Sequence, residues 1–308
     1  MTTSPRQKLL LRFIVLLAIG AGISLWPAIP QRGAISEQLG LIQPVAAQAP
    51  VTLDKTIRDY KQPSEVGWTG APQQSITLHG SASQPGGIYV SLLRRPFDNW
   101  AAPHTHGTER YVTVLMGTFL AGTGPVQDKQ RVTALKAGTV VSETPGRMHY
   151  DGVGEDGVTL LFIGMGGPTP RGITEEPRAP GGPNVDPTAR DAKLPENMVW
   201  SKAADGSTFT NVFGDPSKPG IYVQQVRRPA NSWSTPHKHA NDQFLWVLDG
   251  QMYIGTGATV DKDKTVGMPK GSYIRDFANG VHYEGTKDEP LWLLVVGMGP
   301  ATPEKVGN

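Results

Sequence analysis

The chain of 308 residues contains no cysteine. Disulfides, cysteine-ligated zinc, iron–sulfur clusters and thiol nucleophiles are thereby excluded, and any metal must be held by histidine, carboxylate or water. Charge is also scarce. Charged residues make up 18% of the chain and the net charge is +2. Even that excess is local, because residues 1–49 hold Arg6, Lys8, Arg12 and Arg32 against Glu37 alone. The remainder is close to neutral and lacks the basic surface that recognises nucleic acid. Helical periodicity is missing as well: beyond residue 50 no stretch sustains an apolar repeat of 3.6 residues. What is abundant is glycine (37) and proline (27), between short runs of β-branched and aromatic residues. Such a composition describes an all-β chain with many turns.

Several chemistries leave no trace. Gly164-Met-Gly166-Gly167 follows an apolar run, but Pro168-Thr-Pro170 follows in turn, where a dinucleotide fingerprint needs a helix. A Gly-x-Ser-x-Gly elbow is absent, and the acidic residues show no glycosidase-like pairing. Basic and aromatic residues are not interleaved as single-stranded nucleic acid would require.

The chain opens like an export signal. Arg6, Lys8 and Arg12 precede an apolar run from Phe13 to Trp26, and Ala46-Ala47-Gln48-Ala49 offers an A-x-A-like cleavage site. Residues 1–49 are read as this signal, with the mature chain starting near 48–50. Pro50 disfavours cutting after Ala49, which leaves a cut after Ala47 open. The uncharged span from Phe13 to Gln31 is also long enough to cross a bilayer, so an uncleaved anchor is the alternative. Either way the folded part is expected outside the cytoplasm, periplasmic or secreted.

Downstream lies an internal repeat. Gly87-Ile-Tyr-Val90 returns as Gly220-Ile-Tyr-Val223, and Arg94-Arg95-Pro96 as Arg227-Arg228-Pro229. Trp100 matches Trp233, His149-Tyr150 matches His282-Tyr283, and Gly164-Met-Gly166 matches Gly297-Met-Gly299. The offset is constant and ungapped, the signature of a duplicated domain. Trp68 and Trp200 open similar segments. The expected organisation is a first unit over 50–166, a Pro- and Gly-rich connection over 167–198 and a second unit over 199–308. Within each unit strands alternate with turns. Arg110–Met116 and Thr118–Ala121 read as two strands around a tight turn at Gly117, and Asp249-Gly250 reads as a hairpin. Thr159–Ile163 and Leu291–Val296 are apolar enough to be central strands. Eight or so short strands per unit would close a small barrel or jelly roll.

Six of the seven histidines occupy equivalent places: His104, His106 and His149, then His237, His239 and His282. Residues i and i+2 of a strand share a face, so His104 and His106 aim at one point. A third imidazole from a later strand can meet them, and three imidazoles leave positions on an ion open. The plain alternative is a set of buried, hydrogen-bonded histidines. His79 has no counterpart and is read as structural.

Pro103-His104-Thr-His106, with Arg110 and Gly117 following at spacing, and Gly138 leading to Pro145-Gly146 and His149, together resemble the two signature motifs of the cupin superfamily. The second copy carries the same pattern through His237, His239, Gln243, Gly250, Gly271 and His282. The resemblance covers both repeats and implies two tandem β-barrels (a bicupin) with a divalent transition metal such as Fe, Mn or Zn in each, held by the matched histidines. The family pattern places a glutamate ligand where this chain has Arg110 and Gln243. Arginine cannot ligate, so the first site reads as a three-histidine site. Glu109 and Asp242 stand one position earlier. Alternation from Gly117 turns them outward, although a β-bulge would bring them in.

Arg110 is read either as a bidentate clamp on an anionic substrate or as the partner of a carboxylate of the protein itself. Tyr150, Tyr283, Trp100 and Trp233 are read as packing residues. Phe244, Trp246 and Leu248 form an apolar outer face that needs a cover: the other barrel, a second sheet or a second subunit of a homodimer. The functional expectation is a metal-dependent oxidoreductase of dioxygenase type acting on a small organic molecule. The alternative is a non-catalytic metal- or ligand-binding protein. Neither nucleic acid nor, once the signal is cut, a membrane is an expected partner.

Overall fold

The structure is a computed structural model that describes residues 51–167 and 184–307. Residues 1–49, expected to be an export signal, and the middle of the connection lie outside the described residues. Among the described residues no helix is long and apolar enough to cross a membrane. The only helical elements described are two single 3₁₀ turns, and the fold is all-β.

The first repeat contains β1 (Arg58–Lys61), β2 (Gln74–His79), β3 (Ile88–Arg95), β4 (Ala101–His104), β5 (Arg110–Thr123), β6 (Thr133–Lys136), β7 (Val140–Glu143) and β8 (His149–Met165). Before the second barrel come β9 (Arg190–Lys193) and β10 (Ser201–Lys202). Then follow β11 (Thr208–Phe213), β12 (Gly220–Arg228), β13 (His237–Lys238), β14 (Gln243–Asp249) and β15 (Gln251–Thr256). The chain ends with β16 (Val266–Pro269), β17 (Tyr273–Asp276), β18 (His282–Gly285), β19 (Leu291–Gly299) and β20 (Glu304–Lys305). All the pairings are antiparallel. In barrel 1 the strand order is β2-β3-β8-β5-β7-β9, with β4 on β8 and β6 on β5. Barrel 2 divides into two sheets, β1-β17-β14-β19-β12-β11-β10 and β16-β15-β18-β13-β20. As their composition requires, the apolar strands β8 and β19 are central, each flanked on both sides.

The expected hairpins at Gly117 and Asp249-Gly250 are not formed. β5 continues through Gly117, and both of its halves pair with β8 across register shifts on either side of the glycine. β14 and β15 belong to different sheets and do not pair with each other. Both glycines are corners where one strand bends from one wall of the barrel to the other. Gly117 (φ 77°) and Gly250 (φ 77°) need positive φ, and a Cβ would stand 2.0 Å from the Gly157 carbonyl oxygen at the first and 2.1 Å from that of Pro290 at the second.

Two short strands cross between the barrels. β1 precedes barrel 1 but pairs with β17 of barrel 2, placing Arg58 opposite Asp276. β9 lies in the connection before barrel 2 but pairs with β7 of barrel 1, placing Arg190 opposite Glu143. The exchange is reciprocal, so the edge of each barrel is completed by the segment that precedes the other.

The barrels also share a core. Val90, Leu92, Tyr111, Leu161 and Ile163 of barrel 1 pack in one buried cluster with Val223, Phe244, Trp246, Leu248 and Leu294 of barrel 2. The outer face of Phe244, Trp246 and Leu248 is therefore covered by the other barrel. His79 has its structural place here, its ring 4.9 Å from that of Phe244. Two further cores, one around Val112, Phe119 and Leu160 and one around Val247, Ile254 and Leu293, fill the barrels themselves. Phe244→Ala is expected to cost about 3–5 kcal/mol in urea unfolding, as truncation of a buried aromatic does. Phe97→Ala, at a side chain 59% exposed, should stay within about 0.5 kcal/mol.

Candidate metal centres

The strand register brings the histidines together. His104 on β4 stands directly opposite His149 on β8, and His237 on β13 opposite His282 on β18. His106 and His239 follow two residues after the first of each pair. Ring centroids lie 4.5–5.0 Å apart in barrel 1 and 4.5–5.4 Å apart in barrel 2. In each triad one ligand atom per residue lies within 4.8 Å of the others.

The rings are oriented by the backbone. His104 Nδ1 lies 2.8 Å from the Ala102 carbonyl, His149 Nδ1 3.0 Å from that of Arg147, His237 Nδ1 2.8 Å from that of Thr235 and His282 Nδ1 2.9 Å from that of Gly280. In all four the partner is the residue two before. His239 Nδ1 instead meets the Ala301 carbonyl at 2.9 Å. A carbonyl can only accept, so each Nδ1 carries the proton and each Nε2 presents its lone pair to the centre. The Nε2 atoms of His106 and His149 are buried and make no hydrogen bond. Unpaired buried acceptors are costly unless something occupies them, and the donor set fits a divalent metal ion.

A cavity opens on each triad. In barrel 1 it is about 460 Å³, reached by His104, His106, Arg110, Tyr89 and Trp100 and walled by Leu160 and Phe162. In barrel 2 it is about 350 Å³, with all three histidines, Tyr222, Gln243, Asp276 and Glu284 on its lining. Both volumes suit a small organic molecule.

Charged residues that motif reading overlooked surround both triads. Glu143, wholly buried, accepts from Arg110 Nε and, at 2.5 Å, from Arg190. Its Oε2 lies 3.5 Å from His106 Nε2 and 3.8 Å from His149 Nε2. In barrel 2 Arg58 donates to both oxygens of Asp276, and Asp276 Oδ2 lies 3.5 Å from His282 Nε2. Asp151 pairs with Arg190 at 2.5 Å, and its counterpart Glu284 pairs with Arg58 at 3.1 Å. A trace was present in the sequence: Glu143 and Asp276, and Asp151 and Glu284, are acids at the repeat offset, and Arg58-Asp-x-Lys61 returns as Arg190-Asp-x-Lys193.

The other candidates find definite places. Arg110 has the protein's own carboxylate as partner rather than an open fork. Glu109 and Asp242 are not turned inward. Asp242 accepts from Arg275 and from the Ala278 amide, and Glu109 interacts with Tyr111. Tyr150 and Tyr283 are packing residues, their hydroxyls bonded to the carbonyls of Asp128 and Asp261 and their rings filling the space that Gly122 and Gly255 leave. Trp100 and Trp233 cover Gly152 and Gly285 in the same way.

Burial governs protonation. It pushes His106 down to about 3, assisted by the Arg110 guanidinium, and His282 down to about 4. His149 and His239 are lowered for the same reason. Burial alone would raise Glu143, but Arg110 and Arg190 hold it well below the ordinary carboxylate value of 4.5. All of these groups take up protons more readily in the unfolded chain. Metal-free protein should therefore lose stability as pH falls from 6.5 towards 4, through its histidines, and again below 4.5 through Glu143. Thermal unfolding of metal-free protein at pH 7.5, 5.5 and 4.5 checks this: the midpoint should drop at each step.

No family model matches the chain, and no curated protein does. Solved structures do match in shape. A cupin 2 conserved barrel domain protein from Leptotrichia buccalis is 15% identical and superposes with a TM-score of 0.55 over 82% of this chain and 100% of its own. The oxalate decarboxylase of Lactobacillus farciminis, in a formate complex, is 12% identical, with a TM-score of 0.55 over 81% of this chain and 88% of that one. The oxalate decarboxylase of Bacillus subtilis, a protein with Mn(II) centres, is 13% identical, with a TM-score of 0.54 over 83% and 80%. At such identities the likeness speaks for the fold alone. Strand order, paired histidine triads and these superpositions agree, and the chain has the cupin fold in two tandem copies.

Proposed function

We propose that this chain is an exported metal-dependent enzyme, an oxidoreductase of dioxygenase type acting on a small anionic organic molecule, with one metal centre in each barrel. The observation that carries the reading is the pair of buried, unpaired Nε2 atoms of His106 and His149, which converge with His104 beside a cavity of substrate size. A bound Fe or Mn ion would supply Lewis-acid and redox chemistry at its open positions.

The chain's own residues do the rest. The carbonyls of Ala102 and Arg147 lock their rings so that neither Nε2 turns away. Arg110, paired through its Nε with Glu143, borders the cavity and brings a positive charge to the space where a substrate carboxylate would lie. Tyr89, raised by burial, stays a neutral phenol beside Arg110 and can donate a hydrogen bond. Leu160 and Phe162 keep water from the apolar wall. A fold does not determine its chemistry. Redox-neutral cleavage of a small carboxylate, as the names of the oxalate decarboxylases suggest, is accommodated by the same cationic pocket.

A second reading has its own observation. Arg110 and Arg190 are both paired inside barrel 1, so that site is complete without a substrate, as a metal store or ligand carrier would be. Metal identity separates the two. Elemental analysis of the untagged protein is expected to give about two equivalents of iron or manganese per chain, and His104→Ala or His237→Ala about one. Zinc alone would favour the binding reading. No metal, even after incubation with divalent ions, would sink both.

A further inference from the structure

Two carboxylate oxygens stand 3.5–3.8 Å from histidine Nε2 atoms, a separation that serves an ion pair and that two donors to one ion also show. Donors about 2.0–2.2 Å from one ion are about 3–4 Å from each other. Glu143 Oε2 is 3.5 Å from His106 Nε2 and 3.8 Å from His149 Nε2. Asp276 Oδ2 is 3.5 Å from His282 Nε2. The two acids are equivalents in the repeat, and the register gives them equivalent neighbours: Glu143 stands directly across from Arg110, and Asp276 directly across from Gln243. Arg110 and Gln243 are the positions where a carboxylate ligand was expected from the motif. The carboxylate is present, one strand over.

We propose that Glu143 and Asp276 are the carboxylate donors of the two centres, moved across the β5–β7 and β14–β17 pairs, and that Arg110 makes the barrel 1 centre the weaker cation site. The inference rests on the metal reading above. Each donor is placed by an arginine from an exchanged strand, Arg190 on β9 for Glu143 and Arg58 on β1 for Asp276. These are positioning residues: wholly buried, they hold the carboxylate oxygens by charge-assisted hydrogen bonds. The centres then differ by one charge. Glu143 is shared between Arg110 and Arg190, whereas Asp276 has Arg58 alone, because Gln243 is neutral and bonds Tyr222 at 2.7 Å. A second guanidinium draws electron density from Glu143 and repels a cation directly. Barrel 2 offers a competing oxygen, Glu284 Oε1, 3.9 Å from His237 Nε2. It is the weaker candidate, since it lies farther from its histidine than Asp276 does and is paired with two arginines, Arg58 and Arg228.

The test is titration of the metal-free full chain with Co(II), read by calorimetry and by the visible absorption of the bound ion, which reports the donor set directly. Wild type should show two classes of site, the weaker assigned to barrel 1 by its loss in His104→Ala. Glu143→Gln should weaken that class by at least about 10- to 100-fold, the scale for losing a residue that merely supports a ligand, and Asp276→Asn the tighter class by as much. Each should shift the absorption band of its own site. Glu284→Gln should change the tighter class less than Asp276→Asn does. Arg110→Gln should tighten the weaker class and narrow the gap between the two. Because Asp276→Asn leaves Arg58 short of a partner, Asp276→Glu, which keeps the charge, is run beside it with circular dichroism as the fold check. If Asp276→Asn fails to fold, Glu143→Gln and Arg110→Gln decide the outcome. Two-site binding with affinities and spectra unmoved by these substitutions would overturn the inference and leave the metal reading intact. Failure of the wild type to bind Co(II) at all would overturn both.

Discussion

Everything in this molecule hangs on two buried guanidinium–carboxylate pairs, Arg190 with Glu143 and Arg58 with Asp276. A buried charge without a partner costs several kcal/mol, and removing one member of such a pair typically costs about 3–5 kcal/mol. Each arginine rides on a four-residue strand, too short to be stable alone. The ion pair and the edge hydrogen bonds of the ladder hold that strand in the opposite barrel. The same contact that closes the barrel edge also fixes the carboxylate next to the histidine triad. Fold and site are thus stabilised by one interaction, used twice.

The reciprocal exchange has an energetic logic. A cupin-sized barrel has sheet edges to satisfy, and its outer face of Phe244, Trp246 and Leu248 is too apolar for water. Covering that face with the other barrel buries both surfaces, and β1 and β9 run across the junction so that neither barrel completes its edge from its own preceding segment. The two barrels share one core and exchange edge strands rather than standing as two beads on a string.

Much of this was legible before the structure. The constant offset of the repeat, the His-x-His pairs and the lone histidine downstream in each copy specify strands facing a shared interior, because alternation leaves little choice about direction. All six metal-ligand candidates converge, and the apolar strands are central. What could not be read has a common cause. Glycine at a turn position signals positive φ, but a hairpin and a barrel corner both need it, and only long-range pairing distinguishes them at Gly117 and Gly250. β1 and β9 are short, polar and flanked by proline; β9 reads as connection and β1 as part of the first unit, and nothing local reveals that β1 pairs with barrel 2 and β9 with barrel 1. For the same reason Glu143 left only the trace of its repeat partner Asp276. Its relation to Arg110 is a cross-strand register, and no spacing along the chain encodes a register between strands that are not consecutive.

The departure from the motif at Arg110 and Gln243 then acquires a physical meaning. Placed at the ligand position, an arginine would be expected to expel a cation. Here it faces a carboxylate directly across the ladder, so the pair Arg110–Glu143 is neutral and the site keeps its negative oxygen while gaining a guanidinium beside the cavity. Barrel 2 makes the opposite choice, a neutral glutamine tied to Tyr222, and keeps its carboxylate partnered by one cation only. One scaffold thereby holds two centres of equal histidine content and unequal field: one better suited to attract an anion, the other to retain a metal. Divergence within a duplicated chain needs no more than this, because a single charge at one strand position changes what each pocket prefers to bind while the shared core and the exchanged strands keep both barrels folded.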